Sequence, residues 1–285
     1  MGRTREHIVP KASEKGHENQ RSETLREPNV MTKWIRVKHN DNIKFGTLDG
    51  GDISVYAGDM FDGPSPTSEI IPLDAVEILT PCLPSKIIGL WNNFGAVAAK
   101  NDLDRPTEPL YFYKPPSGIL APGGTIVQPE SYDGPVFFEG ELGVVIGKPC
   151  KDVSMAEVDD YVLGYTCVND ATAFQIISED PSFAQWSRAK SFDTLTPFGP
   201  VIATDVDPES LQVISRLNGE VRQDYPVNDM FFSPLELVQR ISRGMTLLPG
   251  DLITCATSLG ASPMKPGATI EIVIDGIGTL SNTFA

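Results

Sequence analysis

The chain reads as a mainly β protein with few helices, an α+β arrangement in which a small strand-rich unit precedes a larger body. Three observations predict this. Short apolar runs recur along the 285 residues, separated by Gly, Asp and Pro. Explicit helix-start signals are confined to two places. Turn strings such as Pro122-Gly123-Gly124, Pro249-Gly250-Asp251 and Lys265-Pro266-Gly267 punctuate the body.

Residues 1–30 mix basic and glutamate side chains with almost no apolar content, so they are expected to form a flexible tail. Residues 31–80 alternate short runs (Ile35 to Val37, Ile53 to Tyr56, Ile70 to Leu73) with turns such as Asp49-Gly50-Gly51-Asp52, which predicts a small domain of hairpins. Pro81 to Lys86 reads as a link. The body, residues 85–285, opens on the strand-like Ile87-Ile88-Gly89-Leu90. Ser154 with Glu157 has the spacing of a capping box and predicts a helix towards Tyr161, and a further helix is expected from Ala171 to Ile177. Ser233-Pro234-Leu235-Glu236 predicts a helix ending at Gly244, with Leu237, Val238 and Ile241 on its buried face. The segment Ile270 to Leu280 predicts two strands about Asp275-Gly276.

The net charge of −15 argues against nucleic acid and against an anionic membrane surface as partners. No apolar stretch reaches the roughly 18 residues of a membrane span, and the first thirty residues lack the apolar segment of a signal peptide. A cytoplasmic protein is the plain expectation. Cys82, Cys150, Cys167 and Cys255 have no CxxC spacing, so reduced core cysteines are expected rather than a disulfide framework or zinc knuckle.

Function is concentrated in Phe137-Phe138-Glu139-Gly140-Glu141-Leu142-Gly143-Val144-Val145-Ile146. Two carboxylates interrupt a run that reads as a buried strand, and the period of two places both on one face. Like charges so close either raise each other's pKa or share a cation. A third acid, Asp170, ends another strand-like run, Tyr161 to Asn169. Three carboxylates from two strands would make an all-oxygen site for Mg²⁺ or Mn²⁺. The alternative is that Glu139 and Glu141 face solvent on an edge strand or pair with Arg or Lys. The only histidines are His7, His17 and His39, which weighs against a Ser-His-Asp triad, a Cys-His pair and a His-ligated zinc site in the body.

The string Glu139 to Gly147, then Gly164-Tyr165-Thr166 through Asn169-Asp170, Arg188-Ala189-Lys190-Ser191-Phe192-Asp193, Phe198-Gly199-Pro200, Leu217-Asn218-Gly219-Glu220 and Leu248-Pro249-Gly250-Asp251 resembles the fumarylacetoacetate hydrolase (FAH) family, in order from about residue 85 to 285. The resemblance implies a catalytic domain built as a mixed β-sandwich or roll, a homodimer, and Mg²⁺, Mn²⁺ or Ca²⁺ held by Glu139, Glu141 and Asp170. It implies a 2-oxo or diketo acid as substrate, Lys190 as the residue holding the metal-bound region or the substrate oxyanion, and Thr257 as the binder of the substrate carboxylate. By composition alone, Lys190 reads more often as a solvated surface charge, which only the resemblance reverses, Thr257 reads equally as a strand-end hydroxyl bonding backbone, and Asp193 reads as a cap or turn residue.

One departure bears on the reaction. Hydrolytic and decarboxylating relatives often carry a His and a Glu where this chain has Val97 and Lys100, and an Arg-Asp pair where it has Phe174 and Gln175. Losing a positioned general base costs about 10²- to 10⁴-fold. The expectation is therefore isomerisation or keto–enol tautomerisation through a metal-stabilised enolate. C–C hydrolysis or decarboxylation on the same scaffold is the alternative, and a non-catalytic metal- or ligand-binding protein is the alternative of another class. Lys100 could replace the missing base if burial lowered its pKa.

Overall fold

A computed structural model describes residues 31–285, so the tail expected over residues 1–30 lies outside the described residues. The chain begins with four antiparallel strands, β1 (Lys33–His39), β2 (Asn42–Asp49), β3 (Asp52–Asp59) and β4 (Asp62–Pro72). The first turn places both Asn40 (φ 48°) and Asp41 (φ 64°) in the left-handed region, as a two-residue hairpin with the strands' own twist requires. Ile35 and Val37 on β1 and Ile53 and Val55 on β3 point inward, and their polar neighbours point out. After β5 (Glu77–Ile78), which adds to β1, the chain crosses into the body.

There it forms β6 (Ile87–Trp91), helix α1 (Gly95–Lys100), β7 (Leu110–Lys114), β8 (Ile119–Leu120) and β9 (Thr125–Ile126). Next come β10 (Val136–Phe138), β11 (Gly140–Ile146), β12 (Val162–Asn169), β13 (Thr172–Ala173), helix α2 (Trp186–Ala189) and β14 (Thr196–Ala203). The chain closes with β15 (Gln212–Leu217), β16 (Glu220–Pro226), helix α3 (Pro234–Gly244), β17 (Leu252–Thr254), β18 (Ser262–Pro263), β19 (Thr269–Ile274) and β20 (Gly278–Phe284).

One mixed sheet runs in the order β4-β3-β2-β1-β14-β12-β11-β17-β6-β7, with β5 and β8 attached to its side. It is continuous between the N-terminal strands and the body because β1 pairs with β14, Trp34 opposite Ile202. A five-stranded sheet, β16-β15-β19-β20-β9, packs over β11, β12 and β14, and the main core lies between the two. Covered on both faces, β11 is buried at every position, which is why its sequence is nearly unbroken apolar residues. Its first residue, Gly140, meets the second sheet so closely that a Cβ there would stand 2.1 Å from Ser215 Oγ.

The mainly β class, the Ser233 capping box and the C-terminal hairpin match the expectations above. Ser233 Oγ accepts from Glu236 N, Glu236 Oε2 accepts from Ser233 N, and Leu237, Val238 and Ile241 are buried. Gly123, Gly250 and Gly267 occupy the three Pro-Gly turns with φ of 79°, 82° and 84°, values that a side chain would resist. All four cysteines are free and buried.

Two expected helices are corrected. Ser154 Oγ bonds the Glu157 carboxylate rather than a backbone N–H, and β12 begins at Val162, which leaves room for a single 3₁₀ turn, Val158–Tyr161. After Asp170 the chain stays extended. Thr172 and Ala173 pair with β10 before a 3₁₀ turn over Phe174–Ser178.

Candidate active site

Glu139 is the joint between β10 and β11, and its backbone is fixed from the neighbouring strand. Its N–H donates to Asn169 Oδ1 at 3.0 Å, and Asp170 N–H donates to its carbonyl at 2.8 Å. The register Gly140 opposite Asn169 and Glu141 opposite Val168 then brings the end of β12 alongside both glutamates. One carboxylate oxygen each from Glu139, Glu141 and Asp170 lie within 4.8 Å of one another. Glu141 and Asp170 are buried, and Glu139 keeps 14% of its side chain exposed. The three acids expected to converge from two strands do so.

Two lysines enter this cluster. Lys190, at the end of α2, places Nζ 2.7 Å from Glu139 Oε2, 2.5 Å from Asp170 Oδ2 and 2.7 Å from Thr172 Oγ1. It is buried, so its reading as a surface charge fails. Lys114 at the end of β7 puts Nζ 2.5 Å from Asp170 Oδ1 and also donates to the carbonyls of Leu195 and Ala171. Sequence reasoning missed Lys114. Its signal was the strand period, which places it on the same side as Phe112 and opposite Tyr111 and Tyr113.

The electrostatics divide the three acids. Burial pushes Glu141 well above the usual carboxylate range, and the Asp170 charge adds to it. Burial also raises Glu139, although Lys190 opposes the shift. For Asp170 burial acts in the same direction, but the two flanking ammonium groups outweigh it and hold the group low. Burial would lower Lys190, and the charges of Asp170, Glu139 and Glu141 reverse this and keep it cationic. Burial dominates at Lys114 and lowers it.

A divalent cation fits this donor set. Three carboxyl groups face two lysines, a formal excess of one negative charge when all are ionised, in a buried place. The donors are all hard oxygens. Ala256 follows β17 at φ 75°, an uncommon conformation for a residue other than glycine, and there its N–H donates to Glu141 Oε2 at 3.0 Å.

Above the cluster opens a cavity of about 250 Å³, at the small end for a ligand site. Glu139 and Lys190 form its floor, and Ala256 to Ala261 one wall. Trp91 and Trp186, with ring centroids 4.5 Å apart, and Phe137 and Phe174, at 4.7 Å, supply apolar sides. Thr257 lines the cavity, but its hydroxyl donates to the Gly140 carbonyl at 2.9 Å and accepts from Gln223 Nε2, so it also ties backbone. Val97 and Lys100 face the cavity from α1. Lys100 is exposed, so the burial required for it to act as a replacement base is absent. Gln175 and Asp193 do not line the cavity, and Asp193 sits exposed in a turn. His39, the only histidine among the described residues, lies at the end of β1 beside the first hairpin turn. No helix among the described residues is long and apolar enough to cross a membrane.

Residues 86–285 match the family described as fumarylacetoacetate (FAA) hydrolase C-terminal, and residues 32–81 match a second, Rv2993c-like N-terminal. Oxaloacetate tautomerase YisK of Bacillus subtilis (strain 168) is 38% identical over 212 residues, which cover 70% of this chain and 69% of that protein. The crystal structure of 2-hydroxyhepta-2,4-diene-1,7-dioate isomerase from Mycobacterium marinum is 38% identical with a TM-score of 0.82, covering 89% of this chain and 98% of that one. The crystal structure of maleylpyruvate hydrolase from Sphingobium sp. SYK-6, in complex with manganese(II) ion and pyruvate, is 26% identical with a TM-score of 0.71, covering 88% and 99%.

Proposed function

The chain belongs to the fumarylacetoacetate hydrolase family and is an enzyme, and from that premise we propose that it interconverts the keto and enol forms, or isomeric forms, of a 2-oxo or diketo acid. The observation that carries this reading is the floor of the cavity: Lys190 beside three converging carboxylates, under a wall that offers Val97 and, among the described residues, no imidazole. Glu139, Glu141 and Asp170 would hold Mg²⁺ or Mn²⁺, with Ca²⁺ as a further candidate. When bound, the cation polarises the 2-oxo group and acidifies the neighbouring C–H.

The residues of the chain do the remainder. Lys190 is kept protonated by Asp170 and Glu139, so a positive charge faces the oxygen on which negative charge develops. The carbon next to the 2-oxo group gives its proton to solvent water at the cavity mouth, and that oxygen takes a proton back from solvent to give the enol. Thr257, in the wall formed by Ala256 to Ala261, is the candidate for the substrate carboxylate. The aromatic sides give the site an apolar surround, in which both interactions are stronger than in bulk water. Hydrolysis requires an activated water, and Val97 has no group to activate one. That chemistry and decarboxylation are therefore the second reading, supported by the hydrolase among the structural relatives.

A homodimer is the proposed assembly. Its support is the edge position of β7, which leaves Leu110, Tyr111 and Tyr113 partly open to solvent.

The decisive experiment is a ¹H NMR time course of oxaloacetate and an acylpyruvate with the Mg²⁺-loaded protein in D₂O. Faster keto–enol interconversion or deuterium uptake at C3 without fragmentation is expected; pyruvate or a cleaved acid as the main product would replace this reading with C–C cleavage.

A further inference from the structure

The cavity contains one cation that the chemistry at its floor does not use. Lys100 ends α1 and lines the same cavity as Glu139 and Lys190. Lys190 already pairs with Glu139, Asp170 and Thr172, whereas Lys100 has no ion-pair or hydrogen-bond partner among the described residues. Among the described residues no other lysine or arginine lines this space. Arg188 and Arg222, on neighbouring segments, are paired with Glu179 and Glu220.

Its helix is fastened in place. Ala96 N–H donates to Asp229 Oδ2, and Asn93 bonds the backbone of Phe232 in both directions and reaches the Cys255 carbonyl. Phe94 is fully buried and meets the Tyr225 ring edge-on at 5.0 Å. The ammonium is thus carried by a fixed element, and only its own side chain must be ordered on binding. Val97 and Lys100, three residues apart, share the cavity-facing side of α1.

From this we infer that Lys100 is a specificity-determining residue that binds an anionic group at the far end of the substrate, so that the site prefers 2-oxo acids carrying a second carboxylate. The inference rests on the reading that this cavity takes a 2-oxo acid. Two carboxylates then meet separate partners, one at Thr257 and one at α1. The small cavity lets a compact substrate reach both. The plainer role for Lys100, a charge complementing the C-terminus of a helix, is weak here because α1 has only six residues.

The test compares acids that differ only at the far end: oxaloacetate against 2-oxobutanoate, and 2-oxoglutarate against 2-oxopentanoate. Deuterium uptake at C3 gives kcat and KM with the full-length Mg²⁺-loaded protein, and titration calorimetry gives affinities for the five-carbon pair. The diacid of at least one pair is expected to be favoured about tenfold. Lys100→Gln should remove that preference through KM, Lys100→Arg should retain it, and Lys100→Glu should reverse it. An unchanged ratio in Lys100→Gln, or a lowered melting temperature with the ratio intact, overturns the inference. So does failure of 2-oxoglutarate to bind more tightly than 2-oxopentanoate together with equal exchange in the four-carbon pair. Absence of exchange from all four acids in the unaltered protein would overturn the tautomerase reading instead, and the calorimetric ratio would then decide the role of Lys100.

Discussion

Lys114 Nζ lies 2.5 Å from Asp170 Oδ1, and neither side chain is exposed to solvent. The other oxygen of Asp170 is held by Lys190, so this carboxylate is gripped from both sides. Removing one partner of a buried ion pair typically costs about 3–5 kcal/mol, because the remaining charge has lost its compensation. Lys114→Met is expected to lose stability of that order, since it also strands the carbonyls of Ala171 and Leu195. Chemical denaturation monitored by fluorescence checks this; a loss under about 1 kcal/mol would show that water or Lys190 takes over both oxygens.

The opposite pKa directions of Glu141 and Asp170 predict opposite consequences of neutralising them. Glu141 carries a buried charge that burial and Asp170 both disfavour, so Glu141→Gln should be as stable as the unaltered protein, or more stable, when metal is absent. Asp170→Asn leaves two ammonium groups without their shared partner and should melt several degrees lower. Both should weaken Mn²⁺ binding at least tenfold in titration calorimetry. Full metal affinity in either variant would remove that residue from the proposed ligand set.

Metal stabilisation should depend on pH, with a sign set by Glu141. Its folded pKa is raised above the ordinary 4.5, so the native state holds a proton that the unfolded chain has released. Stability in a chelating buffer therefore falls as pH rises from about 4.5 through the raised value. Asp170 has the reverse sign: its contribution is present above the ordinary value and lost as pH falls through the lowered one. A divalent cation competes with the Glu141 proton, so the gain in melting temperature on adding Mg²⁺ should grow as pH rises from about 4.5 through the raised value of Glu141, and level off above it. A gain that is flat or shrinks across that range would contradict the assignment.

The carboxylate cluster is legible in the sequence because acids in the middle of an apolar strand are costly, and the cost itself points to a cation. The Ser233 helix is legible because its cap is complete within four residues. Lys114 escapes because β7 has aromatic residues on both faces, so only its pairing with β6, Lys114 opposite Ile87, shows which way the lysine points. The helices expected after Ser154 and Ala171 are overridden by tertiary pairing. Val162 is committed to β11, and Thr172 donates to Glu139 Oε1 at 2.9 Å, which keeps its segment extended. Local signals cannot register either competitor.

Gly140, between the two glutamates, sets their spacing by the gap between the sheets. Its N–H donates to Gln223 Oε1 at 3.0 Å, and its carbonyl accepts from Thr257 Oγ1 at 2.9 Å and from the Tyr225 hydroxyl. The residue is thus pinned on both sides while a Cβ would stand 2.1 Å from Ser215 Oγ and 2.8 Å from Ile272 Cδ1. Gly140→Ala must push the sheets apart or move Glu139 and Glu141, and overpacking of this kind costs about 1–3 kcal/mol. The expected outcome is a lower melting temperature together with at least tenfold weaker Mn²⁺ binding. Adding Ser215→Gly removes the closest clash and should restore part of both, giving a coupling energy in a double-mutant cycle. If Gly140→Ala loses stability but keeps its metal affinity, the spacing of the two carboxylates is set by β12 alone and not by the inter-sheet contact.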